Sequence, residues 1–252
     1  MDSFMGWIGG KRMLRKAILE RFPTDKVERY IEVFGGAAWV LFAKEKQAGQ
    51  LEVYNDINGN LVNLFRCVKY HCGELQREFD WLLSSREQFF DYVAQANMRG
   101  LTDIQRAARF LYRVKISFGK AGEDYATDSK NVSNIIPRLA QAYKRLQGVN
   151  IERKDFADLI QVYDRKAALF YLDPPYIGAE AYYDGTFTPD DHQRLRAALE
   201  PVKGRFILSY NDCPEVRELY KGYTIERIER RENLSGSGNN KKRYAEVIIR
   251  NF

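Results

Sequence analysis

The sequence predicts an α/β fold: a largely parallel sheet with helices on both faces, an antiparallel pair of last strands, and a helical insertion. Three observations predict it. Short apolar strands alternate with amphipathic helices before residue 58 and again after residue 148. The stretch between them is almost wholly helical in its periodicity. The last two strands are joined only by "ENLSGSGNNKKR", too short for a crossover helix, which calls for antiparallel pairing.

Each element has its own signal. "KRMLRKAILERF" follows Gly9-Gly10 with apolar spacing near 3.6, the period of a helix. "RYIEVFGG" is a short strand ending in glycines, "AAWVLFAKEKQAG" a helix closed by Gly49, and "LEVYND" a second strand. Helical periodicity then runs through "NLVNLFRCVKY", "GELQREFDWLL", "REQFFDYVAQAN" and "IQRAARFLYRVKISF". A polar loop, "GKAGEDYATDSKNVSN", precedes the helix "IIPRLAQAYKRLQG". Five strands follow: "VNIERKDF", "ALFYLDPPY", "GRFILSYND", "YTIERIERR" and "YAEVIIRNF". The helices "PDDHQRLRAALEPV" and "CPEVRELYKG" lie between the second and third and between the third and fourth. The expected organisation is one catalytic domain in two pieces, residues 1–58 and 146–252, interrupted by a helical segment, 59–145.

Composition narrows the class. At 45% apolar and 13% aromatic, 252 residues can bury a sizeable core. Mean hydropathy of −0.49 and the lack of a long apolar run argue against a membrane span. "MDSFMGWIGGKRML" has no basic segment leading into an apolar one, so no signal peptide is expected. Three cysteines without a Cys-x-x-Cys pair fit a reducing, cytoplasmic compartment. "CVKYHC" has no second ligand pair, so it reads as a helix with two buried thiols and no metal is expected. The net charge is +6, and between Leu101 and Gln147 nine cations face four carboxylates. That imbalance suits a polyanion partner, and equally a solvated helix face.

Ligands of open α/β sheets bind beyond the carboxyl ends of the strands. There the sequence places Phe34-Gly35-Gly36, Asp56, Asp155-Phe156, Asp173-Pro174-Pro175-Tyr176 and Tyr210-Asn211-Asp212. Glycines opening a helix let a ligand approach the backbone. A carboxylate at Asp56, ending the second strand, is placed to accept from both hydroxyls of a ribose. The turn is not Gly-x-Gly-x-x-Gly, which favours a nucleoside cofactor without phosphate. Asp155 could take an adenine amino group with Phe156 against the ring, or simply cap the helix "FADLIQVY". S-adenosylmethionine fits the set: a phosphate-free nucleoside whose sulfonium cation suits aromatic faces such as Phe34 or Trp7.

Asp-Pro-Pro-Tyr then acquires a chemical reading beside the plain one of a proline-rich turn. An exocyclic amino group of a base is a poor nucleophile because its lone pair is delocalised into the ring. Acceptors at Asp173 and at the Pro174 carbonyl would draw that nitrogen toward tetrahedral geometry and stabilise developing positive charge. Tyr176 offers a face for a base taken out of the duplex.

These residues resemble the Dam-like (D12 class) DNA adenine-N6 methyltransferases. The resemblance runs nearly end to end, through "GWIGGKRML", "YIEVFGGAAWVLF", "YNDIN", "FLYRVKISFGK", "LFYLDPPY" and "NNKKRYAEVIIRNF". It implies a Rossmann-like S-adenosylmethionine-dependent methyltransferase sheet and methyl transfer to the N6 amino group of a flipped adenine in double-stranded DNA. The product would be S-adenosylhomocysteine, and the enzyme would act as a monomer or weak dimer in the cytoplasm. Trp7 and Lys11 would touch the cofactor, Phe34 to Gly36 form its turn, Asp56 take the ribose, and Asp155 with Phe156 the adenine. Asp173, Pro174 and Tyr176 would hold the target base, and the insertion would read DNA. The expected DNA contacts are Phe118, Lys120 and Tyr125 in the groove and Lys115, Lys130 and Arg138 on phosphates. The chain carries Gly6 where such relatives often have lysine, and Glu123 about where Dam has an arginine. Those departures bear on which sequence is read and leave the reaction untouched. Other readings are an amino-methyltransferase on cytosine N4, RNA or a protein glutamine, and a binding module that keeps only the fold.

Overall fold

The structure is a computed structural model that describes residues 1–117, 122–126, 131–180, 187–229 and 245–252. Its seven strands are β1 (Arg29–Glu32), β2 (Leu51–Asn55), β3 (Val149–Glu152), β4 (Ala168–Leu172), β5 (Arg205–Asn211), β6 (Thr224–Glu229) and β7 (Ala245–Arg250). They form one sheet in the order β3-β2-β1-β4-β5-β7-β6. β4 pairs in parallel with β1 and β5, while β7 pairs antiparallel with both β5 and β6. The antiparallel ending is the one expected of the short β6–β7 connection. The strand order adds that β7 inserts beside β5 and leaves β6 at the edge.

The chain clusters into two compact units. A helical unit comprises Met1–Arg12, Gly36–Glu45 and Tyr54–Arg153, and a sheet unit comprises Met13–Gly35, Lys46–Val53 and Lys154–Phe252. In the sheet unit one face of β1, β4, β5 and β7 is apolar. Ile31, Phe170, Leu172, Leu208 and Ile249 lie there under α8 (Phe156–Tyr163), α9 (Pro189–Leu199) and α10 (Pro214–Leu219). Each such side chain contributes about 1.5–3 kcal/mol by leaving water. Because side chains alternate, the opposite face carries Tyr30, Glu32, Tyr171, Ser209 and Glu246, all buried. That face is mixed, since Leu169, Ile207 and Ile248 share it, and its polar residues lie near Asp173, which follows β4.

In the helical unit, α3 (Gly59–Tyr70) packs on α6 (Asp103–Ile116) and α7 (Ile136–Leu146), and α4 (Cys72–Asp80) packs on α6. α5 (Arg86–Ala94) also lies against α6. Thr102 and Gln105 form a reciprocal cap at the start of α6, which buries Ala107, Ala108, Leu111 and Val114. Two early helices are shorter than their periodicity suggests. α1 is only Arg15–Leu19, preceded by turns, and α2 only Trp39–Ala43. α2 starts from Ala38 in a left-handed conformation, φ 54°, and stops where Lys44 turns extended. Cys67 is buried, whereas Cys72 is only half-buried, so the expected pair of buried thiols is a single one. Among the described residues no cluster of three metal-ligating side chains exists, and no helix is long and apolar enough to cross a membrane.

Candidate active site

β4 is apolar and buried along its whole length because it has a strand on either side and lies centrally in the sheet. Pro174 and Pro175 have no N–H to continue a ladder, so the strand ends there. Asp173, the first residue beyond it, accepts a hydrogen bond from Ser209 Oγ at 3.0 Å, and Ser209 lies 3.2 Å from the Tyr171 hydroxyl. One side of the Asp173 carboxylate is thereby oriented by β5. Among the described residues no donor bonds the Pro174 carbonyl. The Tyr176 hydroxyl donates to Glu246 Oε2 at 2.6 Å, and its ring stacks on Tyr210 with centroids 5.7 Å apart. Burial, then the negative charges of Asp173 and Glu246, hold the Tyr176 hydroxyl well above its usual pKa, so it remains a donor.

Beside this strand end the sheet unit builds an aromatic cluster. Phe34 lies 5.6 Å from Phe156 and 5.9 Å from Phe187. The Arg194 guanidinium covers Phe156 at 4.1 Å and grips Asp155 through both nitrogens, at 2.9 and 2.8 Å. Asp155 also accepts from the Ala157 N–H at 2.9 Å, so it caps α8. Burial pushes the Asp155 carboxyl up, but Arg194 and the helix N–H groups outweigh it and the net shift is downward. A carboxylate has about four acceptor positions. Arg194 and the N–H groups of Ala157 and Asp158 fill them here.

The helical unit gathers the other expected residues. Gly36 takes φ +48°, a conformation costly for any residue with a Cβ. Its N–H donates to Asp56 Oδ2 at 2.8 Å, and Asp56 Oδ1 accepts from the Asn58 N–H at 2.8 Å. The carboxylate thus fixes the glycine turn to the end of β2. Burial raises the Asp56 carboxyl pKa against those bonds. Trp7 stands over the turn: a Cβ on Gly36 would lie 3.1 Å from its Cδ1. Lys11 is buried and its Nζ donates to the Gly9 carbonyl at 3.0 Å.

Comparison with known proteins bears on what this arrangement is. The sequence profile of the D12 class N6 adenine-specific DNA methyltransferases matches residues 7–234. The chain belongs to that family. The methyltransferase is 27% identical, over 100% of its own length and 96% of the relative, to the Type II methyltransferase M1.LlaDCHI of Lactococcus lactis subsp. cremoris. It is 25% identical to the Type II methyltransferase M.MjaIII of Methanocaldococcus jannaschii, covering 100% and 99%. It is 22% identical to the Retron Ec67 DNA adenine methylase of Escherichia coli, covering 98% and 90%.

Among the described residues, four arginines of the methyltransferase's helical segment have local partners. Arg106 pairs with Asp103, Arg109 with Gln95 and the Tyr92 ring, Arg113 with the Gly122 carbonyl, and Arg145 with the Leu41 carbonyl. Arg109, Arg113 and Arg145 tie separate segments of the helical unit, while Arg106 pairs within α6 at the surface. Lys115 and Arg138 line a cavity of about 190 Å³ together with Arg12, Trp39, Asp2 and Gly6. Arg12 lies 5.8 Å over the Trp39 ring and 3.7 Å from Asp2. The Tyr125 ring packs edge-on against Phe89 at 5.5 Å and beneath Arg86 at 4.7 Å. Phe118, Lys120, Lys130 and the "SGSGNNKKR" segment lie outside the described residues.

Several residues at the methyltransferase's strand ends carry no motif signal. Ser209, Glu246, Arg194 and Phe187 enter the site through pairing across the sheet and packing under α9. His192 reads from sequence as a helix-surface residue, yet it is buried at 5% exposure and bonded through both ring nitrogens. The signal was present: Leu195 and Leu199 follow it at three and seven positions, the spacing of one inward helix face.

Proposed function

We propose that the chain uses S-adenosylmethionine to methylate the N6 amino group of an adenine extruded from double-stranded DNA. The observation that carries this reading is Asp173, delivered by a buried central strand, oriented by Ser209 and followed by a proline carbonyl that no described residue bonds and by a ring. The donor supplies an electrophilic methyl on a sulfonium. The chain's residues do the rest. Asp173 and the Pro174 carbonyl accept from the two N6 hydrogens, localise the lone pair and hold the proton that leaves as the N–C bond forms. Tyr176 stacks on the extruded base.

The donor's nucleoside fits the residues present. Asp56 has both oxygens aligned by backbone N–H groups for ribose hydroxyls. Phe34 and Phe156, with Asp155 beside them, suit adenine, while Trp7, Gly35, Gly36 and Lys11 serve the remainder of the donor. The chemistry asks for no metal. Residues 59–145 are the proposed target-recognition region, with Lys115, Tyr125 and Arg138 among its DNA contacts. A monomer acting in the cytoplasm is consistent with this reading.

Purified chain incubated with tritiated S-adenosylmethionine and unmethylated duplex DNA, then digested to nucleosides, should give label in N6-methyl-2′-deoxyadenosine. Asp173→Ala should retain donor binding and lose at least about a hundredfold in kcat, the scale of one transition-state hydrogen-bonding group. Label in cytosine, or an unchanged rate for Asp173→Ala, would overturn the proposal.

A further inference from the structure

We propose that His192 is a positioning residue for the transfer step: with Glu180 it latches the loop that carries Asp-Pro-Pro-Tyr. This rests on the reading of Tyr176 as the surface that holds the target base.

After Tyr176 the chain folds back at once. The Ala179 N–H donates to the Tyr176 carbonyl at 2.9 Å, and Gly178 takes φ +84°, the third-position conformation of a type II turn. The Asn211 side chain holds the Ile177 carbonyl at 3.3 Å. Glu180 Oε1 then accepts from the Gly178 N–H at 3.0 Å and from His192 Nε2 at 2.8 Å. One carboxylate oxygen therefore ties the turn to α9.

The other ring nitrogen reaches the same tyrosine from below. His192 Nδ1 hydrogen-bonds the Tyr210 hydroxyl, and the Tyr210 ring carries Tyr176. The His192 ring also packs edge-on against Phe187 at 5.0 Å, and Phe187 touches both Phe34 and Phe156. His192 thus joins three things: the loop beyond Tyr176, the ring beneath Tyr176, and the aromatic cluster proposed for the donor's adenine. A neutral imidazole with its proton on Nε2 satisfies every partner, donating to Glu180 and accepting from Tyr210. Burial pushes the Glu180 carboxyl up, but its bonds to His192 and the backbone N–H groups outweigh this, so it stays ionised as an acceptor.

The test uses the full chain, bulk unmethylated DNA and S-adenosylmethionine. His192→Ala and Glu180→Ala should each lower kcat about tenfold or more, while the dissociation constant for S-adenosylmethionine changes less than about threefold. The double variant should be no slower than the slower single one, because both remove one latch. Glu180→Gln keeps an oxygen for His192 and the Gly178 N–H, and should stay within about threefold of the native rate. Wild-type kcat in Glu180→Ala overturns the latch, and so does full additivity in the double variant. Tyr176→Ala separates the two readings. Native turnover in that variant defeats the base-holding role itself. Loss there with native turnover in Glu180→Ala defeats the latch alone.

Discussion

Gly36→Ala tests the glycine turn. Two costs can be worked from the structure. A residue with a Cβ at φ +48° pays about 1–2 kcal/mol for the left-handed conformation. The new methyl lies 3.1 Å from Trp7 Cδ1, tighter than ordinary contact, and overpacking of this kind costs about 1–3 kcal/mol. Partial burial of one methyl returns at most about 0.8 kcal/mol. The net loss is about 1–5 kcal/mol, which for a chain of this size lowers Tm by roughly 3–20 °C. Thermal unfolding followed by circular dichroism reads that directly. Trp7→Ala separates the terms: in the double variant the steric part vanishes and the conformational part stays, a coupling of about 1–3 kcal/mol. Titration with S-adenosylmethionine should also show weaker binding in Gly36→Ala, since Trp7 must move. A variant that melts with the native chain would refute both the strained turn and the tryptophan contact.

Lys115→Ala with Arg138→Ala should flatten the salt dependence of DNA binding by about one to two in log–log slope, because each phosphate contact contributes roughly 0.9; an unaltered slope places the DNA face elsewhere. Asp56→Asn should change the pH dependence of stability. Burial raises the Asp56 carboxyl above its usual 3.8, so its contribution to stability is complete below that value and fades as pH rises through the folded pKa. The asparagine does not titrate, so urea unfolding should find the variant gaining on the native chain as the pH rises above the usual carboxylate value of 3.8. A constant or shrinking difference would mean that the carboxylate is better solvated than the geometry says.

Much of this was legible because strand ends are punctuated. The glycine pair, Asp56 and the proline pair each stop an apolar run where a parallel sheet presents ligands, and the short link before β7 left only antiparallel pairing. What stayed hidden was pairing at a distance. Charge counting saw nine cations in one segment but not that Arg106, Arg109, Arg113 and Arg145 are held by local partners. Periodicity extended α2 to Gly49 because it cannot see a left-handed Ala38 or an extended Lys44. Glu246 sits in a strand buried on both faces, where nothing in "YAEVIIRNF" marks which residue will meet Tyr176.

The two faces of the sheet unit explain why such residues are kept at all. The apolar face under α8, α9 and α10 supplies stability and tolerates apolar side chains of similar volume. The other face buries Glu32 against the Tyr30 hydroxyl, Ser209 against Tyr171, and Glu246 against Tyr176. Burying ionisable groups this way costs several kcal/mol per charge unless every bond is well made, and hydrophobic residues of equal volume would often be more stable. A sheet selected for stability alone would have replaced them. Their bonds instead fix angles: Ser209 turns Asp173, and Glu246 with Tyr210 holds the Tyr176 ring. A reaction that depends on acceptors meeting two particular hydrogens is sensitive to such angles, since small misplacements of a reacting group cost large factors in rate. The buried polar residues of this face are therefore best understood as stability exchanged for orientation, carried on β1, β5 and β7 toward the Asp173 end of β4.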